Sequence, residues 1–397
     1  MEPGSSELTG RTGWVDAALA ALQLGWVEAA RSAALLAFLP FQAAHWVGVG
    51  AAGTIVSVAY LVDTAAKPVA GWWMRRHHRS ILLAALLLLA AGSGLVATGR
   101  NLAMLGGGAL LLGLGGAPVW PLALAQSGYA YQGQAGFGQG PTFTAWVAGS
   151  GIGYVSVLLL PHALARPLIL ALGLSAALLL PVTLRWAPRT ACDEPENPPG
   201  GGGPRQEGVA AGLGSLPWAW VRPLLGPLVL MAGLAMVPGA FVPYLPRLLH
   251  ILRPGARVAL AAAAGSGLLL GFVGGGRIST SARPLLFLRA SAALLALGFL
   301  LAAVSPTPAA WTPAAFAITA GYGAAVVTWN GWLTATMPAE LGPAGLGLAS
   351  SVEDAGFALG PGLAGLVLAR AGFSGLLAMA AALGLLLFLL WFLPRPR

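Results

Sequence analysis

Two acid–base pairs stand inside otherwise apolar sequence, Glu28 with Arg31 in "LGWVEAARSAALLAFLP" and Asp63 with Lys67 in "AYLVDTAAKPVAGWW". A carboxylate kept from water can take up and release a proton or hold a cation, and a nearby guanidinium or ammonium decides which state it prefers. An ionisable group within a membrane span is costly in lipid, so such groups face protein or a water-filled cavity and partner one another. If the stretches holding the two pairs are helices joined by a short turn near His45 to Gly50, positions can be counted from that turn at about 1.5 Å per residue. Arg31 lies fourteen residues before His45 and Asp63 thirteen after Gly50, while Glu28 and Lys67 each lie seventeen from those same ends. Depth therefore matches Arg31 with Asp63 and Glu28 with Lys67. Residues three or four apart share a helix face, so four groups of alternating sign converge. Two roles are open: a clamp pinning one helix to the next, or a coupling network in which Asp63 exchanges a proton or substrate against its cationic partners.

A second acidic site is the adjacent pair Glu353 and Asp354, about two turns inside the apolar stretch that begins near Leu346. Aromatic and small residues interrupt two further stretches, "GLGGAPVWPLALAQ" around Trp120 and "GYGAAVVTWNGWLTATMP" around Trp329 and Asn330. Such paired interruptions point to a midplane binding site between repeated units, with Gln42 and Trp146 as polar and stacking neighbours. Packing of helices through small residues is the simpler alternative.

The elements that hold these residues follow from composition. Of 397 residues 57% are hydrophobic and 8% charged, and the mean hydropathy is +0.79, values foreign to a soluble domain. Runs of bilayer length fall at 24–45, 50–73, 80–98, 102–125, 142–160 and 166–186, and again at 223–248, 258–276, 284–304, 313–337, 346–369 and 375–393. Between the two sets "APRTACDEPENPPGGGGPRQEGVAAGLGS" is too polar and too rich in Gly and Pro to pack, and reads as a linker. The expected organisation is a tail at 1–23, a six-helix half at 24–186, a cytoplasmic linker at 187–222 and a second half at 223–397. The predicted fold class is an all-α membrane protein of twelve transmembrane helices.

With the first residues inside the cell, the short loops and tails on that side collect twelve arginines and those on the opposite side six. That is the bias expected of cytoplasmic loops, and it predicts a multi-pass protein of the cell membrane with both termini cytoplasmic. The formal charge of +9 is scattered singly and in short loops, which gives no basic face for nucleic acid. "PRLLHILRPGAR" is the exception, a basic patch on the outer side that reads as an interfacial loop or as an attractor of anions. Arg289 reads as a snorkelling residue near a boundary. One cysteine, Cys192, allows no intramolecular disulfide and no cysteine metal site. No nucleotide-binding loop, zinc-ligand spacing or nucleophile elbow is present, so the sequence predicts neither an enzyme nor a cofactor or metal.

Two six-helix halves and a cytoplasmic linker resemble the major facilitator superfamily, and several motifs support the resemblance. Its G-x-L-x-D-R-x-G-R-R signature between the second and third helices is matched at Gly71, Trp73, Arg76 and Arg79, while Arg75 stands at the Asp position and His78 at the second Gly position. "ELGPAGLGLASSVEDAGFALGPGLAGLVLA" is similar to the family's eleventh helix, with Gly342, Gly345 and the Gly356-x-x-x-Gly360-Pro361 run. "TAWVAGSGIGYVSV" holds Gly149, Gly151 and Gly153 but lacks the Gly-Pro step of the antiporter branch. The resemblance implies that the second and eleventh helices face each other across the halves. On that basis Lys67 or Arg75 would meet Glu353 or Asp354 as a cytoplasmic gate, together with Gly71, Arg76 and Arg79. The implied function is secondary transport by alternating access, as efflux of a small, partly apolar organic compound by proton antiport, by a monomer whose partners are its substrate, the bilayer and protons. Organic-anion symport is an alternative, and a ligand-binding or lipid-moving membrane protein without coupled transport is one of another class.

Overall fold

Three backbone breaks separate what would otherwise be very long helices. Gly48 (φ 77°) and His77 (φ −134°, ψ 37°) interrupt the run Leu39–Thr98, and Gly372 (φ 63°) interrupts Gly342–Leu390. Gly48 and Gly372 occupy the left-handed region, where a side chain is strained and glycine is not. The computed structural model describes residues 5–123, 140–179, 218–245, 249, 252–279, 284–305, 307–336 and 342–390.

Helix α1 begins as Ser5–Arg31, passes through a π-helical stretch, Ser32–Phe38, and continues to residue 47. Helices α2 (49–76) and α3 (78–98) follow. Then come α4 Leu102–Gly116, α5 Gly140–Leu159, α6 His162–Leu178, α7 Trp218–Phe241, α8 Pro254–Ser279, α9 Pro284–Val304 and α10 Pro308–Thr336. Helices α11 (342–371) and α12 (373–390) complete the set among the described residues. Eight helical segments are long and apolar enough to cross a membrane; two of them, Ala18–Gly71 and Ser350–Leu389, hold two spans each, and Ala163–Leu178 and Leu228–Tyr244 are shorter apolar helices. The helices among the described residues are consistent with twelve spans, and the predicted boundaries at 45/50, 73/80 and 369/375 bracket the three breaks.

Some boundaries move. The predicted tail is helical from Ser5, because "DAALAALQL" propagates a helix well and no proline follows Pro3 to stop it. Helix α7 begins at Trp218 rather than 223; the rest of the predicted linker, Cys192 included, lies outside the described residues. Pro118 ends α4 earlier than expected, and a short helical turn resumes at 119–123. Asn101 starts α4 by accepting the Met104 N–H at 2.9 Å on its side-chain oxygen.

Close approaches between backbones define two similar units. Gly25, Gly149 and Gly153 bring α1 against α5, and Gly239, Gly356 and Gly360 bring α7 against α11. Gly113 seats α4 on α2 as Gly267, Gly271 and Gly275 seat α8 on α10, and Gly173 joins α6 to α3 as Gly384 joins α12 to α9. The same pairing, repeated six helices later, is the pattern of a transporter built from parallel repeats. Each unit has its own apolar core, and each core takes in residues of the other unit: Ala358 of α11 lies buried in the first and Phe143 of α5 in the second.

Candidate functional site

Ion pairs form an unbroken alternating chain from one unit to the other. Arg31 donates through one Nη to Glu28 at 2.6 Å and through the other to Asp63 at 2.8 Å. Lys67 Nζ lies 3.5 Å from the same Asp63 oxygen and makes a close hydrogen bond to Asp354 of α11. Glu28 is held by Arg31 within its own helix rather than by Lys67, because the Lys67 chain reaches across to α11 instead. Arg31, Asp63 and Lys67 are 1–3% exposed, so the charges are stabilised by one another and not by water.

The helices place this chain by simple periodicity. Glu28 and Arg31 are one turn apart, as are Asp63 and Lys67, so α1 and α2 each offer one acid and one base to the seam between them. Arg31 is the last residue before the π-helical stretch, whose seven residues are all buried; π-turns shift the register of the face that follows and are frequent at functional sites. Gly116 of α4 supplies the space: a methyl there would fall on the Arg31 guanidinium, 2.5 Å from Nε and Nη1. The guanidinium carbon lies 5.5 Å from the Tyr60 ring centroid, in range for a cation–π contact.

Around Asp354 the neighbours come from both units. Glu353 is hydrogen-bonded to the side chain of Asn330, whose amide also donates to the Val326 carbonyl at 2.9 Å. One turn before Asp354, Ser350 accepts a hydrogen bond from Trp120 Nε1 at 3.3 Å. One turn beyond it, Phe357 meets Tyr60 with ring centroids 4.8 Å apart. Trp120 lies against Phe143 and Trp146 at 5.2 and 5.6 Å, and Phe143 meets Phe272 of α8 at 6.2 Å. The remaining predicted site residues are more dispersed. Trp329 is fully buried in the second core beside Trp332, at 5.4 Å, and Gln42 is buried one turn beyond the π stretch. Gly71 is buried near the end of α2 and Arg79 is exposed at the start of α3, while the side chains of Arg75 and Arg76 lie outside those described.

A second set of contacts joins α2 to α11 near Gly48. The Gly362 N–H donates to Ser57 Oγ at 2.8 Å, and Gly53 of α2 admits Pro361 together with Tyr244, which follows α7 and donates its hydroxyl to the Pro361 carbonyl at 2.7 Å within the second unit. Sequence reading singled out none of Tyr60, Gly116, Ser57, Phe357 or Ser350. Only Tyr60 carried a usable signal, three residues before Asp63 on the same face.

A structure with two similar helical units, a charged chain between them and membrane-spanning helices throughout can be set against known families. The profile of the Major Facilitator Superfamily matches residues 21–355. The chain belongs to the Major Facilitator Superfamily. Among solved structures it is similar to the human organic anion transporter MFSD10 (TETRAN), with TM-score 0.68 and 16% identity over 98% of this chain and all of that one. At that identity the likeness is one of fold. No curated protein matches the sequence significantly. Membership of the superfamily makes this a multi-pass membrane transporter.

Proposed function

We propose that the protein is a secondary active transporter of the cell membrane that exports a small, partly apolar organic compound in exchange for protons, with alternating access between its two units and both termini in the cytoplasm. The observation that supports this reading is the ion chain, whose last link, Lys67 to Asp354, joins α2 to α11. A buried pair loses its hold when one partner is neutralised. Protonation of an acid in the chain therefore favours the state in which the units part at that point, and a ligand that prefers one state shifts the population toward it. The twelve-to-six distribution of arginines supports the orientation.

Organic-anion symport is the second reading, favoured by the similarity of fold to MFSD10, an organic anion transporter. The charge count weighs against it, since Glu28, Asp63, Glu353 and Asp354 outnumber Arg31 and Lys67. Purified protein in liposomes distinguishes the readings. Antiport predicts that labelled organic compounds move only against an opposing proton gradient and that Asp354→Asn abolishes the movement. Uptake of anions together with protons would favour symport, and binding without movement under either gradient would sink the transport reading. Cys192, the sole cysteine, reports orientation: a membrane-impermeant maleimide should label it in inside-out vesicles and not in right-side-out ones.

A further inference from the structure

Lys67 is the chain's sole lysine, and it is shared unequally. It hydrogen-bonds Asp354 closely but stands 3.5 Å from Asp63. Asp63 uses one oxygen for both Arg31 and Lys67, and its other oxygen, Oδ1, is buried without a hydrogen-bond partner. The Asp63 side chain is 2% exposed and that of Asp354 26%. So the acid that Lys67 hydrogen-bonds is the more exposed of the two, and the acid with a vacant acceptor is the more deeply buried.

We propose that Lys67 is an internal stand-in for the amine of the transported compound: it occupies Asp354 when the site is empty, and the protonated amine of an organic cation displaces it, sending the Lys67 ammonium back onto Asp63. The inference rests on the transport reading above and narrows its substrate to amphiphilic cations carrying an N–H donor.

Three features support the exchange. Asp63 and Lys67 are four residues apart on one helix face, so the retreat requires rotamer changes and no helix movement. Asp63 Oδ1 gains the hydrogen bond it lacks, which offsets the loss at Asp354, and an unmet buried acceptor is costly. The site surrounding Asp354 suits an apolar cation. Trp120 abuts the turn before it and Tyr60 with Phe357 the turn after, while Glu353 adds a second carboxylate. Aromatic faces and carboxylates together recognise ammonium ligands. An organic anion would instead meet the carboxylates of Glu353, Asp354 and Asp63, with both basic groups already engaged. The exchange also has a mechanical result. The Lys67–Asp354 link joins the two units, and replacing a tethered ammonium by a free one cuts that tie.

The test uses monodansylcadaverine, a primary amine on an aromatic body, its N-acetyl derivative as the uncharged control, and the matching dansyl aminohexanoate as the anion. The purified full-length chain is reductively methylated with 13C-formaldehyde, which keeps the charge of the single lysine; the Lys67 resonances are told from those of the α-amine by their absence from Lys67→Arg. Saturating amine should shift the 13C-methyl resonances of wild-type protein, and the acetyl and carboxylate analogues should not. If Lys67 occupies Asp354 about nine-tenths of the time, removing it in Lys67→Met should tighten amine binding on the order of tenfold. Lys67→Arg, which keeps the charge and grips a carboxylate through two N–H groups, should weaken binding by a similar factor. Amine binding that leaves the resonances unmoved, no amine binding at all, or tightest binding of the carboxylate would each overturn the proposal. Should Lys67→Met fail to fold, the wild-type spectrum and Lys67→Arg still decide. These are equilibrium measurements, so they stand apart from transport: expected binding results with no movement in liposomes would overturn the transport reading and leave the displacement intact.

Discussion

Arg31 carries more of the site than any other residue, because it bonds two acids, lies over Tyr60 and occupies the space that Gly116 leaves. Removing one partner of a buried pair strands the other, at a cost of about 3–5 kcal/mol, whereas removing both relieves most of that penalty. Arg31→Gln and Asp63→Asn should therefore each lower thermal stability in detergent, and the double variant should recover part of the loss. A double variant as unstable as the sum of the singles would mean that the two groups are not coupled. Gly116→Ala attacks the same residue from α4. Its methyl would displace the guanidinium, so it should destabilise by about 1–3 kcal/mol and impair transport. Arg31→Gln in the same chain should soften that loss, because glutamine is shorter and leaves the methyl room.

Helices hold the site in place through glycines, and those glycines are not equivalent. Gly149 faces the Gly25 carbonyl so closely that any side chain would force α1 and α5 apart, while Gly151 on the same helix has open space where a side chain would go. Gly149→Ala should cost about 1–3 kcal/mol through overpacking, and Gly151→Ala should be neutral or stabilising by up to about 1 kcal/mol, since alanine favours the helix. Equal effects of the two, read by thermal unfolding, would discredit the α1–α5 seam. Helix α11 differs from its counterpart α5 in a telling way. Across the units, α11 meets α2 through an ion pair and hydrogen bonds, but α5 meets α8 through the aromatic pair Phe143 and Phe272. The α2–α11 contact is polar and charged, whereas the α5–α8 contact is aromatic.

At the scale of the whole molecule the two units are tied at both ends of the α2–α11 seam, by Lys67–Asp354 toward His77 and by Ser57–Gly362 with the close approach of Gly50 to Gly365 toward Gly48. Alternating access around a midplane site requires that one tie break while the other holds. A side chain at Gly362 would put its Cβ 3.7 Å from that of Ser57, close to the mean of about 3.8 Å in disulfides. With Cys192 replaced by serine, the pair Ser57→Cys and Gly362→Cys should crosslink under mild oxidation, stop transport, and recover on reduction. Full transport by the crosslinked protein would show that this end does not open.

Much of this was legible in the chain order alone, for physical reasons that act locally. A bilayer demands runs of apolar residues of fixed length, so the twelve spans stand out, and Gly48, His77 and Gly372 fall where polarity or glycine breaks the runs. Charges inside those runs must find partners, so Glu28, Arg31, Asp63 and Lys67 announced themselves, and counting residues from a shared turn matched Arg31 with Asp63. Counting fails once a partner belongs to another part of the chain. Lys67 turns from Glu28 to Asp354 because α11, 287 residues away, packs on α2, and no local spacing encodes that approach. The π-helical stretch, the space that Gly116 makes for Arg31 and the aromatic rings around Asp354 are likewise products of helices meeting. Sequence determined which residues could not be left alone in lipid, because solvation is a property of each residue; tertiary structure decided their company, because contact is a property of pairs.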